Sequence, residues 1–338
     1  MIRQRVFAGA AVGLLTAALG LPGTAVSAPG RDSLHHCSLR PLPLPAGVNY
    51  GEAQAVDPTG RFIAGIGTRV TDGVWEQLLL IWQGNRVTAV DTPLAGEVTG
   101  INPAGVVIGN GSVSATYRPW RYQNGQLTEL SVPGTVSNVW AQGINARGDI
   151  VGRGSVEATE SQLPLRWPAD RPGTVETVAP LTDGVANAVL DDGSVVGTSV
   201  TPGGPPSYAG WVRRPDGRIS WLSVPGKPRA WATAGRGDWA AGGVDDSPEE
   251  GDGTPQRWNL RTGAATPVHP AVGWRIHGVT ASGVVLGETA VGHGDRVTPL
   301  PGVTEGIRFV RASAIADNGM VVGWTAGDRL TPVRWTGC

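Results

Sequence analysis

The chain of 338 residues carries 27 basic and 28 acidic side chains, a formal net charge of −1, and is 40% hydrophobic. That balance leaves no basic face of the kind that nucleic acid or an anionic membrane selects, so no nucleic-acid partner is expected. Its 51 Gly, 27 Pro and 13 Trp suit many turns and short, packed strands better than helices or disorder.

The first segment reads MIRQRVFAGAAVGLLTAALGLPGTAVSAPG. Arg3 and Arg5 precede an apolar run from Val6 to Leu21, and the small residues TAVSA follow. This is the pattern of a secretory signal peptide, assigned to residues 1–28, with cleavage after Ala28 or Ala25. Residues 29–36 are read as a flexible mature N-terminus. No Cys follows the apolar run at lipobox spacing, and no later stretch has the apolar length of a membrane span. The expectation is a secreted, extracellular, soluble monomer without a membrane anchor, in an oxidising place.

Residues 37–338 are read as one domain. It opens on CSLRPLPLPAG (37–47), which matches the D strand and connector of the other units, such as LTELSVPG. Then one phrase recurs seven times: AVDPTGRFIAG, GINPAGVVIG, GINARGDIVG, AVLDDGSVVG, TAGRGDWAAGG, GVTASGVVLG and AIADNGMVVG. Their turn glycines are Gly60, Gly105, Gly148, Gly193, Gly237, Gly283 and Gly319, spaced 45, 43, 45, 44, 46 and 36 residues apart. A second glycine follows each, from Gly65 to Gly323. Such a period is that of propeller blades.

Each unit offers four short strands, A to D. A and B flank the turn glycine, which supplies the positive φ that such turns demand. Strand C carries a Trp: Trp82, Trp120, Trp167, Trp211, Trp258 and Trp335. Strand D follows a second Gly turn, as in YQNGQLTEL. No stretch keeps a 3.6-residue apolar period, so almost no helix is expected. The sixth unit is short and its HGDRVTPLPG lacks the Trp, which reads as a trimmed blade.

The predicted fold is therefore all-β, a seven-bladed β-propeller with four antiparallel strands per blade. The chain ends after a C strand, TPVRWTGC, so the spare strand at its start is expected to complete the last blade. Cys37 and Cys338, the two cysteines of the chain, are then expected to pair as a disulfide in the place of the missing C–D turn, the alternative being two free surface thiols.

WRYQNGQLTEL and AQGINARGDIVG resemble the repeats of secreted bacterial proteins called the HAF family, over residues 38–338. The His-Ala-Phe of that family is replaced here by RPW, PLRW, AGW and PQRW. The resemblance implies a propeller and no particular activity.

A–B and C–D turns should share one face, and the variable B–C loops and D–A connectors the other, where binding usually sits. Tyr50, Trp140, Trp231, Trp274 and Phe309 stand near the starts of A strands, with Arg275, Arg308 and Arg311 beside them. They either ring the channel mouth, where they suit a carbohydrate or another flat ligand, or wedge between blades as core. His277 falls on a predicted A strand near the channel, as a ligand contact or a structural residue. The acidic loop of Asp245, Asp246, Glu249, Glu250 and Asp252 lacks an EF-hand spacing and reads as solvated; no metal or cofactor is expected. Two RGD triplets, Arg147–Asp149 and Arg236–Asp238, fall on A–B turns, where Gly is expected anyway. No G-x-S-x-G elbow, phosphate loop or sialidase box occurs, so no catalytic residue is assigned. The expected function is binding of an extracellular carbohydrate or protein on the variable-loop face. The alternative is an extracellular glycoside hydrolase or lyase, with Glu52, Asp57 or His277 at the channel.

Overall fold

The inner strand is bulged at one fixed place in six of the seven blades, and that place shapes the centre of the molecule. The computed structural model describes residues 37–338 except 93, 95, 160, 179, 180, 182, 201–207, 246–252 and 303–308. The expected signal segment and mature N-terminus, Arg308 and most of the acidic loop lie outside the described residues. Seven four-stranded antiparallel sheets are present, six of them paired in chain order from A to D. The first blade comprises Val48–Val56, Phe62–Thr71, Val74–Gln83 and Arg86–Asp91. In the seventh, Phe309–Ile315, Val321–Ala326 and Leu330–Thr336 are completed by Ser38–Pro41 from the start of the chain. Cys37 and Cys338 form a disulfide beside that pairing, across 301 residues of sequence. The one helical element among the described residues is a 3-10 turn, Pro270–Val272.

Both glycines of the repeat have a physical reason. The turn glycine has positive φ in all seven blades, for example +77° at Gly105 and +90° at Gly148. In six blades the second glycine faces the inner strand at its bulge, and in the sixth Gly287 faces the Val272 carbonyl of the 3-10 turn. A Cβ on Gly152 would stand 1.8 Å from the Trp140 carbonyl oxygen, and one on Gly197 2.1 Å from that of Val185. Only Gly lets the two backbones approach so closely.

The strand C tryptophans are fully or almost fully buried. Several donate Nε1–H to the connector that leaves the preceding blade. Trp82 bonds Pro43 at 2.7 Å, Trp167 bonds Ser131 at 2.8 Å, and Trp335 bonds Pro301 at 2.7 Å. Each apolar cluster accordingly joins two adjacent blades, as where Trp258 of the fifth packs with Val212 and Leu222 of the fourth. The sixth blade is the trimmed one: its first two strands, Gly278–Val279 and Val285–Leu286, have 2 residues each.

Candidate functional site

In six blades the bulge leaves one side chain out of ladder register and on the channel wall. Register shifts fall between Ala53 and Ala55, Val98 and Gly100, Ala141 and Gly143, Ala186 and Ala188, Ala232 and Ala234, and Ala312 and Ala314. The residues skipped are Gln54, Thr99, Gln142, Asn187, Thr233 and Ser313, and His277 holds the matching place in the sixth blade. All seven are polar and line one central cavity of about 220 Å³. The residue before each, from Ala53 to Ala312, is buried and apolar.

Three members of this ring join neighbouring blades. Gln54 Oε1 accepts from the Val98 N–H at 2.8 Å. Asn187 Nδ2 donates to the Ala232 carbonyl at 2.8 Å, and Thr233 Oγ1 donates to that of Ile276 at 3.1 Å. Asn110, one strand out, does the same work between the second and third blades, bonding both N–H and C=O of Ala141. The bulge frees backbone groups that must be paired once buried, and polar side chains of the preceding blade pair them.

The rest of the ring is not used this way. Thr99 Oγ1 and His277 Nε2 are buried without a hydrogen-bond partner. Burial, and next the Arg311 guanidinium, push the His277 imidazole below its ordinary pKa; Glu288 opposes this and Arg275 adds to it. The imidazole is therefore neutral at pH 7. From the ring the cavity runs toward the A–B turns, past Val56, Ile101, Val189 and Val279. No carboxylate lines it among the described residues. Glu52 instead accepts from Gln54, and Asp57 is fully buried, accepting from Thr59 and the Phe62 N–H.

The five aromatics expected near the channel do not line this cavity. Their rings meet partners on the loop face. Tyr50 stacks on Trp75 at 5.7 Å, Trp140 lies 5.1 Å from Tyr117 and under Arg153, and Phe309 lies 5.4 Å from Trp324. Arg275 covers Trp274. Trp231 packs onto Gly243 and Gly253, where a Cβ would stand 2.4 and 2.1 Å from its ring. Channel and aromatics thus form two separate features, because the aromatic side chains cross their own sheets or meet the next blade.

Six of the seven exposed large hydrophobic residues found among the described residues belong to the loop face: Val74, Trp75, Tyr117, Tyr208, Trp274 and Phe309. All six stand at strand ends or connectors that meet B–C loops or D–A connectors. The seventh, Trp221, lies on an outer strand. Sequence reasoning missed Trp75, Tyr117 and Tyr208, which open C strands beside the loops.

Neither RGD triplet is free. Asp149 is buried, bonded to Asn145 and Arg147 and paired with Arg166 at 3.1 Å. Burial alone would raise its pKa, but the Asn145 and Arg147 hydrogen bonds and the Ala169 N–H bring it down to about 2. Arg236 is held by Asp317.

No protein-family model matches the sequence and no curated protein matches it, so the HAF resemblance rests on the quoted motifs. Among solved structures, the propeller domain of the Trilobed protease from Pyrococcus furiosus is similar, with a TM-score of 0.59 and 10% identity. The match covers 87% of this chain and 95% of that one. An acylaminoacyl peptidase from Pyrococcus horikoshii matches at TM-score 0.49 and 10% identity, over 83% and 52% of the two chains. TolB from Acinetobacter baumannii matches at 0.43 and 11%, over 63% and 52%. The chain spans about half the length of these last two proteins. Identities this low bear on the fold alone. The Pyrococcus furiosus domain is described as an open velcro, whereas here the first strand and a disulfide close the ring.

Proposed function

We propose that this is a secreted, monomeric binding protein of the HAF-repeat type, holding an extracellular carbohydrate on its variable-loop face. One observation carries the reading: exposed aromatic residues are concentrated on that face and nearly missing elsewhere among the described residues. A soluble protein rarely exposes such surface without a use. Trp75, 68% exposed and stacked on Tyr50, and Phe309, 53% exposed beside Trp324, are supported platforms whose faces suit the C–H surface of a sugar ring. The apolar N-terminal run and the disulfide support secretion. The test is a glycan array with the purified protein and its Trp75→Ala, Tyr117→Ala, Phe309→Ala triple variant. Selective glycan binding by the first, lost by a folded second, is expected. An array without signal, or binding unchanged in the variant, overturns the reading; a protein captured through the same three residues would replace the sugar by a protein ligand.

The second reading is an extracellular glycoside hydrolase or lyase acting at the channel. What favours it is His277, neutral and with an unpartnered Nε2 on the channel wall. The carboxylate pair that glycoside hydrolysis needs is not among the described lining residues, so binding stands first.

A further inference from the structure

We propose a second site: the groove between the fourth and fifth blades docks an extended, acidic segment of a partner protein along the fourth blade's outer strand, Ile219–Leu222.

The molecule contains its own control for this groove. Between the second and third blades, the corresponding groove includes Leu130, Ser131, Trp167 and Pro168 and holds about 90 Å³. It is filled because the C–D turn of the third blade, between Trp167 and Glu176, is long and folds back, its Gly173 carbonyl accepting from Ser131 Oγ at 2.6 Å. In the fifth blade the turn between Asn259 and Ala265 is shorter. There the groove holds about 510 Å³.

The lining has changed as well. Glu129 stands opposite the buried Trp120 in the second blade; the equivalent residue, opposite Trp211 in the fourth, is Trp221, which is 43% exposed. Arg214, Arg218 and Arg261 line the groove, and no carboxylate does among the described residues. Each arginine has an aspartate near it: Asp192 at 4.0 Å, Asp216 at 2.6 Å and Asp238 at 3.7 Å respectively. The Arg218 and Arg261 side chains remain 82% and 76% exposed, and ion pairs this exposed hold weakly and are readily shared with an incoming carboxylate.

The outer strand is last in its sheet, so its outward N–H and C=O groups face no further strand. An extended peptide can add there by main-chain hydrogen bonds, its carboxylates meeting Arg218 and Arg261 and an apolar side chain covering Trp221. A free backbone edge favours a peptide over an acidic polysaccharide, which has no matching ladder of donors and acceptors.

The experiment titrates the full protein with a synthetic peptide alternating Asp with Leu and Phe, by calorimetry. Saturable binding of one peptide per chain is expected, weakening as salt rises. Trp221→Ala, and separately Arg218→Gln with Arg261→Gln, should each cost about tenfold in affinity. Amides of residues 219–222 should gain hydrogen-exchange protection, while the loop-face variant Trp75→Ala should bind the peptide unchanged. All three groove side chains are exposed, and an unaltered melting temperature shows that the variants fold. Lack of saturable binding, binding indifferent to both groove variants, or equal displacement by a polyuronate overturns the proposal.

Discussion

Arg236 and Asp317 form an ion pair at 3.2 Å although a whole blade separates them in the ring. Arg236 ends the inner strand of the fifth blade, and Asp317 follows that of the seventh. The same carboxylate accepts from the Ala281 N–H of the sixth blade at 2.7 Å, and the Asp317 N–H donates to the Pro58 carbonyl of the first at 2.9 Å. One residue therefore ties four blades together around the trimmed one. Asp317→Ala is expected to cost about 1–2 kcal/mol, for the loss of a charge-assisted bond near the surface. Arg236→Gln should cost less. Hydrogen exchange checks the mechanism: amides of the sixth blade should open faster in the Asp317 variant than those of the first three blades.

Acid should act through Asp149. Its folded pKa of about 2 lies below the ordinary carboxyl value, so its stabilisation is complete above about pH 4 and is lost as pH falls toward 2. The side chain is 5% exposed, and the shift corresponds to about 2 kcal/mol. Urea midpoints between pH 5 and pH 2 check this. Asp149→Asn should be less stable at pH 7 and lack this part of the acid slope; a parallel slope in both proteins would contradict it.

The second glycine of the repeat should be the least replaceable residue of each blade. Gly152→Ala puts a Cβ 1.8 Å from a carbonyl oxygen that belongs to backbone and cannot swing away. A loss of about 3 kcal/mol or failure to fold is expected. Gly125→Ala is the comparison: its Cβ meets nothing within 4 Å, so only the cost of its positive φ remains and the loss should be smaller. Thermal unfolding of the two variants side by side gives the ranking.

Removing the disulfide by Cys37→Ser with Cys338→Ser should lower stability by about 2–5 kcal/mol. The loss should start locally. Limited proteolysis of the variant is expected to cut first near Ser38–Pro41, the strand that loses its tether. Equal cutting in variant and parent would show that strand pairing alone holds the closure.

Blade number, strand roles and closure were readable in the sequence because each follows from a local requirement. A turn needs positive φ at Gly148, a bulge needs the bare backbone of Gly152, and a buried ring between blades recurs as Trp167. The polar ring was not read. It occupies one position per repeat, filled by Gln, Thr, Asn, His or Ser, and only the bulge gives that position meaning. A signal existed: Gln54, Thr99, Gln142, Asn187, His277 and Ser313 each stand six residues before their turn glycine, and Thr233 stands four before Gly237. The loop-face aromatics were half read, because Trp75, Tyr117 and Tyr208 are separated by sequence from the inner-strand residues they approach.

The Cys37–Cys338 bond also makes the fold a covalent circle, with every blade inside the 301-residue span. A protease that cuts one exposed loop therefore frees nothing: the nicked protein keeps its mass until it is reduced. Two cuts are needed to shed a fragment, and after the first the pieces stay tethered while the packed blades hold them in place. Wherever proteases act under oxidising conditions, the ring can take a cut and remain one molecule.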